Sequence, residues 1–234
     1  MPVISTWPAP ANTGGSSEEL LVGFSKDRMM RVLILPAWFD EANKLRRFTL
    51  GVMRRLDEAG IDSFLPDLPG CNESLAPLEA QTLEHWREVA EAAARHVGAT
   101  HVLALRSALL IAPAALPGWI YAGLQGSALL QRMVRARLLA AREAGRTEAR
   151  ETLMEQGQRE GLILGGWPIG AELFSAMAAS GDARAQPGHA VIEQSEIGGA
   201  GLWLRSEPAH DPAQAAALAA RIIADLRAAQ SFPG

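Results

Sequence analysis

The alternation of short apolar runs with longer amphipathic stretches constrains this chain more than any other feature. Apolar side chains recur every three or four residues, the spacing of a helix with one buried face, first at Leu45, Phe48, Val52, Leu56 and Ala59 and then at Leu83, Trp86, Ala90, Ala93 and Val97. Around them lie four predicted strands, Arg31–Leu35, Ile61–Leu65, His101–Leu105 and Trp119–Ala122. Strands that alternate with helices form right-handed βαβ units. The sequence therefore predicts an α/β fold with three layers around a mainly parallel sheet.

The rest of the chain divides into an N-terminal arm, a helical insertion and a C-terminal part. Residues 1–18 are rich in proline, glycine and serine and predict a mobile arm, which leaves residues 19–234 as a single domain. A polar helical pattern over residues 127–161, Ser127 to Gly161, predicts an insertion, or cap. The other predicted segments are strands at Leu20–Phe24, Leu162–Gly165, Ala190–Ser195 and Leu202–Arg205, a loop at Gly181–Gly188 and a closing helix at Pro212–Ala229.

Composition and charge exclude several classes of protein. The net charge of −4 offers no basic field, so we expect no nucleic-acid partner. Cys71 is the only cysteine, which excludes a disulfide within the chain and favours a reducing, cytoplasmic location. Residues 1–17 lack the basic start and apolar core of a secretion signal, so none is expected.

One uncharged stretch, Ser107–Gly123, is about as long as the shortest transmembrane helix. Pro113 and Pro117 interrupt it, so we interpret it as a buried strand–helix–strand segment and expect no transmembrane span. The histidines show no metal-ligand spacing with one another or with cysteine, and no glycine pair lies in the strand–loop–helix context of a phosphate loop. We therefore expect neither a metal nor a cofactor.

The turn after the strand at residues 101–105 is the position at which a catalytic or binding residue would lie. Ligands of a parallel sheet gather at the carboxyl ends of its strands. A nucleophile elbow, a sharp strand-to-helix turn, needs small residues two positions before and two after the nucleophile. Around Arg106 those residues are Ala104 and Ala108, whereas around Ser107 they are leucines. The register therefore places at the elbow an arginine, which stays protonated and cannot attack but can hold a carboxylate or phosphate.

Several blocks of the chain resemble, in order, the blocks of one family. They are Phe39–Arg47, similar to its FAEEMNKxRR block, Asp67–Ser74, similar to its DLxGCGDS turn, Leu105–Ala108, similar to its GLRxG elbow, Gln125–Arg135, similar to its SGKxxLxQFLR segment, and Gly165–Trp167, similar to its AGY segment. By these blocks, which extend over roughly residues 31–177, the chain resembles the exosortase system-associated hydrolase-like family of the α/β-hydrolase superfamily.

The resemblance implies an α/β-hydrolase-like three-layer fold whose elbow carries arginine in the place of serine. The family occurs beside exosortase and exopolysaccharide genes in Gram-negative bacteria, which implies exosortase-system proteins as partners. A full α/β-hydrolase also places an acid after a late strand and a histidine after the last one. Only two strand candidates, Ala190–Ser195 and Leu202–Arg205, follow the insertion. We therefore expect a shortened C-terminal end that lacks a strand–helix unit.

Two functions stay open from the sequence. In the first, the protein is a degenerate hydrolase homologue, a pseudoenzyme that binds a small anionic ligand or a partner protein without turnover. Arg106 would hold the anion, and Asn43, Lys44 and Trp38 would lie near it.

In the second, the protein is an ester or thioester hydrolase that acts on an acyl substrate. Ser107 would attack, His210 would be the general base, and Glu207 or Asp211 would orient the histidine. The elbow register favours the first hypothesis, so whether the protein is an enzyme stays open.

Overall fold

The structure, a computed structural model, describes residues 1–181 and 187–231. Within them the strands are β1 (Val3–Pro10), β2 (Ser16–Phe24), β3 (Arg31–Leu35), β4 (Asp62–Pro66), β5 (His101–Leu105), β6 (Gly118–Tyr121), β7 (Leu162–Leu164), β8 (Trp167–Ile169) and β9 (His189–Ile192). The helices are α1 (Asp40–Glu58), α2 (Leu83–His96), α3 (Gly126–Glu143), α4 (Arg150–Glu160), α5 (Ala171–Ala179), α6 (Gln194–Ile197) and α7 (Pro212–Ser231). The predicted loop at Gly181–Gly188 lies mostly outside the described residues.

Seven of the described strands form one sheet in the order β1-β2-β4-β3-β5-β6-β9. β2 is antiparallel to both of its neighbours, and every pair from β4 to β9 is parallel. The structure thus confirms the predicted α/β class with a mainly parallel sheet. β3 and β5 have the predicted bounds, because each is apolar on both faces and buried after its first residue, the pattern of a central parallel strand.

The side chains of β3 show how the sheet separates two cores. Val32 and Ile34 point to the face covered by α1 and α7, whose apolar stripes they join in one buried cluster. Leu33 and Leu35 point to the opposite face and join a cluster that includes residues of α2, α3 and α5. The period of two along the strand therefore builds the three layers.

The structure corrects the prediction of a mobile arm over residues 1–18. β1 and the first part of β2 form an antiparallel hairpin that extends the sheet at one edge. Trp7 is 1 % exposed and stacks at 5.6 Å between ring centroids against His96 of α2. The prolines in this segment conceal its alternation, and burial of Trp7 and Ala9 on one face of β1 supplies the free energy that orders it.

The two edges of the sheet are β1 and β9. Pro8 and Pro10 lie opposite Glu18 and Ser16 of β2. Proline has no N–H to donate, so within a sheet it is confined to edge strands and strand ends. These prolines therefore agree with the position of β1 at the edge.

The predicted strand at Leu202–Arg205 is wrong, because residues 202–204 form a single 3-10 turn. Leu202 is buried there, whereas Leu204 is 68 % exposed, so the segment packs on α1 through one side only. β9 also ends at Ile192, where the predicted strand continues to Ser195, because the chain turns into α6. No further strand follows β9 in the described part of the chain.

A long connection, here called the excursion, joins β6 to β9. It begins with α3 and α4, which lie in the predicted helical insertion at residues 127–161. It continues through a second, two-stranded sheet of β7 and β8 and through α5. The turn of this hairpin consists of Gly165 and Gly166 with φ of +59° and +86°, backbone angles that suit a tight two-residue hairpin and favour glycine. The hairpin and α3 form the walls of the cavity described below.

A substitution at Gly157 tests how closely α4 packs on α5 within this excursion. A Cβ atom at this position in α4 would lie 2.3 Å from ring carbons of the buried Phe174 in α5. Replacing a helical glycine by alanine ordinarily adds about 1 kcal/mol of stability, but overpacking costs about 1–3 kcal/mol. We expect Gly157→Ala to lower the urea midpoint of unfolding.

Gly51→Ala is the milder comparison, because its Cβ would meet the Cβ of Ala215 at 3.2 Å. A higher midpoint for Gly157→Ala than for the wild type would contradict the close packing of α4 on α5.

Candidate functional site

Arg106 occupies the turn at the end of β5. Its φ is +57°, a conformation that is strained for any residue with a side chain, and it begins a 3-10 helix that ends at Leu110. Strained backbone at a strand-to-helix turn is the geometry of a nucleophile elbow. Ala104 and Ala108 on either side are both fully buried. The residue that has the elbow conformation is therefore Arg106, and Ser107 follows it.

The guanidinium of Arg106 is bound within the protein. Its Nε and Nη2 atoms donate to the two carboxylate oxygens of Glu41 at 2.9 and 3.2 Å. Nη1 donates to the carbonyl oxygen of Ala122, and the ring of Trp203 covers the guanidinium face at 3.9 Å. Arg106 is only 4 % exposed. This is a planar, two-pronged ion pair, the geometry in which arginine binds a carboxylate most specifically.

This pairing corrects the assignment of Arg106 as the residue that holds a ligand's anion. The anion that it holds is the carboxylate of Glu41 in its own chain. Phe39, immediately before α1, has a φ of +55°. Helix α1 begins directly after this residue. Its first turn places the carboxylate of Glu41, which is 8 % exposed, against the side chain of Arg106.

The three other predicted binding residues have different surroundings. Lys44 lines the cavity described below, and its Nζ atom lies 2.6 Å from the Oδ2 atom of Asp40. Trp38 is buried and lines the same cavity, with its ring packed at 4.9 Å against Trp86. Asn43 is exposed and is not among the lining residues of the cavity.

The predicted catalytic group is not assembled in the described part of the chain. Ser107 is fully buried, and its Oγ atom has no hydrogen-bond partner there. His210 lies beside α1, with its Cε1 atom 3.7 Å from the position that a Cβ on Gly51 would take, and its Nδ1 atom has no hydrogen-bond partner in the described residues. Glu207 is exposed. No hydrogen bond among the described residues joins the serine, the histidine and the acid.

Asp211, the alternative candidate for the orienting acid, caps a helix. Its Oδ1 atom accepts from the N–H groups of Ala213 and Gln214 at 3.0 and 3.2 Å at the start of α7. The hydrogen bond from Gln214 is the largest cause that lowers the pKa of Asp211. A carboxylate used as a helix cap is not oriented toward a histidine.

A cavity of about 790 Å³ lies next to the elbow pair, the ion pair of Arg106 and Glu41. This volume falls within the range of small-molecule sites, about 300–1,000 Å³. Its walls come from the start of α1, one face of α3, the β7–β8 hairpin and the 3-10 turn before α7. The lining residues are Trp38, Phe39, Asp40, Glu41, Lys44, Leu129, Arg132, Met133, Ala136, Arg137, Ala140, Arg146, Glu148, Ile163, Gly165, Gly166, Trp167, Trp203 and Leu204.

Sequence reasoning missed most of this lining. The α3 residues recur at i, i+3 and i+4, so the helical spacing alone could have shown that they share a face: Leu129, Arg132, Met133, Ala136, Arg137 and Ala140. Nothing in the sequence signals that Trp203, 97 residues after Arg106, covers the guanidinium. That contact depends on how α7 packs on α1.

The turn after β4 is a separate polar cluster. The Oδ1 atom of Asp67 accepts from Arg46 at 2.9 Å and from Asn72 at 3.0 Å. Cys71 lies buried in this turn. Burial, with smaller contributions from Asp67 and Glu19, raises the pKa of the Cys71 thiol to about 12.

None of the described helices is both long and apolar enough to cross a bilayer. Across residues 1–181 and 187–231, no group of three or more histidine, cysteine, aspartate or glutamate side chains is placed to hold a metal ion. The expectation that the protein works without a metal or cofactor stays a prediction.

Comparison with known proteins identifies the fold. No protein-family model and no curated protein matches the chain by sequence. Among solved structures, alpha/beta hydrolase domain-containing protein 10 from mouse matches 97 % of this chain and 99 % of its own, with a TM-score of 0.51 and 13 % identity. A hypothetical protein from Pseudomonas aeruginosa matches over 82 % of this chain and 77 % of its own, with a TM-score of 0.50 and 10 % identity.

A putative hydrolase from Agrobacterium vitis S4 matches over 60 % of each chain, with a TM-score of 0.45 and 12 % identity. This match spans less than two thirds of the length of that hydrolase. Likeness at such low identity concerns the fold alone. The match to the mouse protein, which extends over 97 % of this chain, shows that the chain has the α/β-hydrolase fold, as predicted.

The elbow pair generates a prediction about stability. Arg106→Ala would leave the buried Glu41 carboxylate with only Arg132, at 3.6 Å, to balance it. Breaking a buried ion pair by removing one side typically costs about 3–5 kcal/mol. We expect a loss of about 3 kcal/mol in the free energy of unfolding, measured by urea denaturation.

Arg47→Ala is the matched control, because Arg47 is exposed on α1. Equal unfolding free energies for Arg106→Ala and Arg47→Ala would show that the elbow pair contributes nothing net to stability.

The raised pKa of Cys71 predicts an inert thiol. The thiolate is the reactive form, and with a pKa of about 12 the thiol stays protonated at pH 8. We expect no reaction of the native protein with a disulfide reagent such as Ellman's reagent at pH 8, and one thiol per chain after addition of urea. Full reaction without urea would contradict the burial of this turn.

Proposed function

We propose that this protein is a member of the α/β-hydrolase superfamily with a degenerate elbow, which binds a ligand in its cavity and does not hydrolyse esters. The observation that carries the proposal is the identity and pairing of the elbow residue. Arg106 has the strained elbow backbone, and its side chain is paired with Glu41. An arginine paired in this way offers neither a nucleophile nor a free cation to a substrate.

The surroundings of Ser107 support the same conclusion. A serine nucleophile needs a general base within hydrogen-bond reach. Ser107 is fully buried, and its Oγ atom has no hydrogen-bond partner in the described residues. The cavity is lined by Glu41 and Trp203, which contact the Arg106 guanidinium, and Ser107 is not among its lining residues. These surroundings support a binding role for the cavity over acyl transfer.

The biological setting is proposed from the sequence blocks. The blocks at residues 39–47, 67–74 and 105–108 resemble those of the exosortase system-associated family. We infer an accessory role in an exosortase or exopolysaccharide system, with proteins of that system as partners. The lone Cys71 supports a reducing, cytoplasmic location.

The proposal predicts that a fluorophosphonate probe leaves the protein unmodified. The probe would react with an activated serine, and intact-mass spectrometry would detect the adduct. We expect no adduct on the wild type at high probe concentration and no hydrolysis of p-nitrophenyl acetate above the buffer rate.

Ser107→Ala is the control for this experiment. A single adduct on the wild type that disappears in Ser107→Ala would overturn the proposal and establish the ester or thioester hydrolase, with Ser107 as the nucleophile and His210 and Glu207 as candidates for its base and acid.

A further inference from the structure

The carboxylates around the cavity are all paired with cations of the same chain. Glu41 binds Arg106, as described above. Asp40 lies 2.6 Å from Lys44. Glu148 accepts from Arg137 at 2.9 and 3.1 Å. No carboxylate among the described lining residues is therefore left to recognise a cationic ligand.

The side-chain groups with free capacity at the cavity are donors. The indole Nε1 of Trp38 is buried, and no described residue accepts its proton. A buried indole N–H usually has an acceptor. Arg132 on α3 is half-exposed and forms a long ion pair with Glu41 at 3.6 Å, a carboxylate whose two oxygens already accept from Arg106, so its guanidinium has donors left for a ligand. The Arg146 side chain is exposed, and the pKa of Glu148 is lowered by the hydrogen bond from Arg137 and, to a smaller extent, by the charge of Arg146. A ligand that satisfied these groups would supply an acceptor with negative charge.

The rest of the lining is apolar. α3 contributes Leu129 and Met133, together with Ala136 and Ala140, whose small side chains leave room beside the helix. Aromatic and aliphatic side chains from Trp167, Trp203, Ile163 and Leu204 form the opposite side.

Two of these apolar residues are exposed, Ile163 by 62 % and Leu204 by 68 %. Exposed apolar side chains at the rim of a cavity are typical of a binding site for an apolar group. The lining therefore combines an apolar wall with donors that have capacity left for a ligand, the indole N–H of Trp38 and the guanidinium of Arg132.

We propose that the cavity binds an amphipathic anion, an acyl chain or aromatic group that carries one carboxylate, with the carboxylate paired to Arg132 and the apolar part along α3. This inference rests on the proposed ligand-binding function and names the class of ligand. It assigns the anion to Arg132 on the insertion. Arg106 acts as a positioning residue that holds Glu41.

The inference predicts selective binding of decanoate over decan-1-ol, measured by isothermal titration calorimetry with the full chain. The two probes share the chain length and differ in the charged head. A hydrogen bond to a charged group contributes enough to change affinity by about tenfold or more. We expect decanoate to bind at least about tenfold more tightly than decan-1-ol.

Substitutions on α3 test whether the carboxylate of the ligand binds at Arg132. Arg132→Gln should weaken decanoate binding by about tenfold and leave binding of decan-1-ol unchanged, and Arg132→Lys should restore part of the loss because it keeps the charge. Arg135→Gln is the matched control, because Arg135 is exposed on the same helix and does not line the cavity. It should bind decanoate as the wild type does. Urea midpoints confirm that each variant is folded.

Two outcomes would overturn the inference: equal affinity for decanoate and decan-1-ol, or unchanged decanoate binding by folded Arg132→Gln. Either can occur while the fluorophosphonate experiment shows no adduct, in which case the protein still lacks a serine nucleophile and takes a ligand of another class. A serine adduct, in contrast, would overturn the proposed function regardless of how tightly decanoate and decan-1-ol bind.

Discussion

The ion pair between Arg106 and Glu41 joins four segments that are distant in the sequence. Arg106 follows β5, Glu41 lies in the first turn of α1, Ala122 follows β6 and Trp203 precedes α7. The main chain adds a further link, since the carbonyl oxygen of Arg106 accepts from the N–H of Leu124 at 3.3 Å. The pair therefore fixes the relative positions of the strand ends and of the helices that pack beside them. It stands at the strand-to-helix turn where the nucleophile elbow of this fold lies, which is why the proposed function rests on it.

The cavity depends on that arrangement. Its inner end is formed by Phe39 and Glu41, which the pair holds against the elbow, and its outer walls come from the excursion between β6 and β9. In the α/β-hydrolase fold the sheet supplies a common frame, and the segments inserted at its carboxyl end distinguish one site from another. The charged residues at the cavity are divided in the same way between the sheet frame and the inserted segments. The carboxylate of Glu41 at the base belongs to the frame, and the half-exposed guanidinium of Arg132, 3.6 Å from it, belongs to the insertion.

Local patterns predicted the parts of this molecule that depend on local physics. β3 and β5 were predicted with their bounds because residues buried on both sides must all be apolar. The elbow register followed from Ala104 and Ala108, since a close approach of strand and helix excludes larger side chains. The failures have a common cause: they concern contacts between distant segments. The hairpin of β1 is ordered by Trp7 on α2, and Arg106 receives its carboxylate from a residue 65 positions earlier. No periodicity encodes either contact.

The edge strand β1 has a consequence for the behaviour of the protein at high concentration. An eight-residue edge offers backbone groups on which a strand of another molecule could add, the first step of sheet-to-sheet aggregation. Pro8 and Pro10 sit at alternate positions, so the two N–H groups missing from this strand belong to the same side of its backbone. An incoming strand would find that side without donors over half of its length. The hairpin thus lengthens the sheet and at the same time disfavours the addition of a further strand along the proline half of this edge.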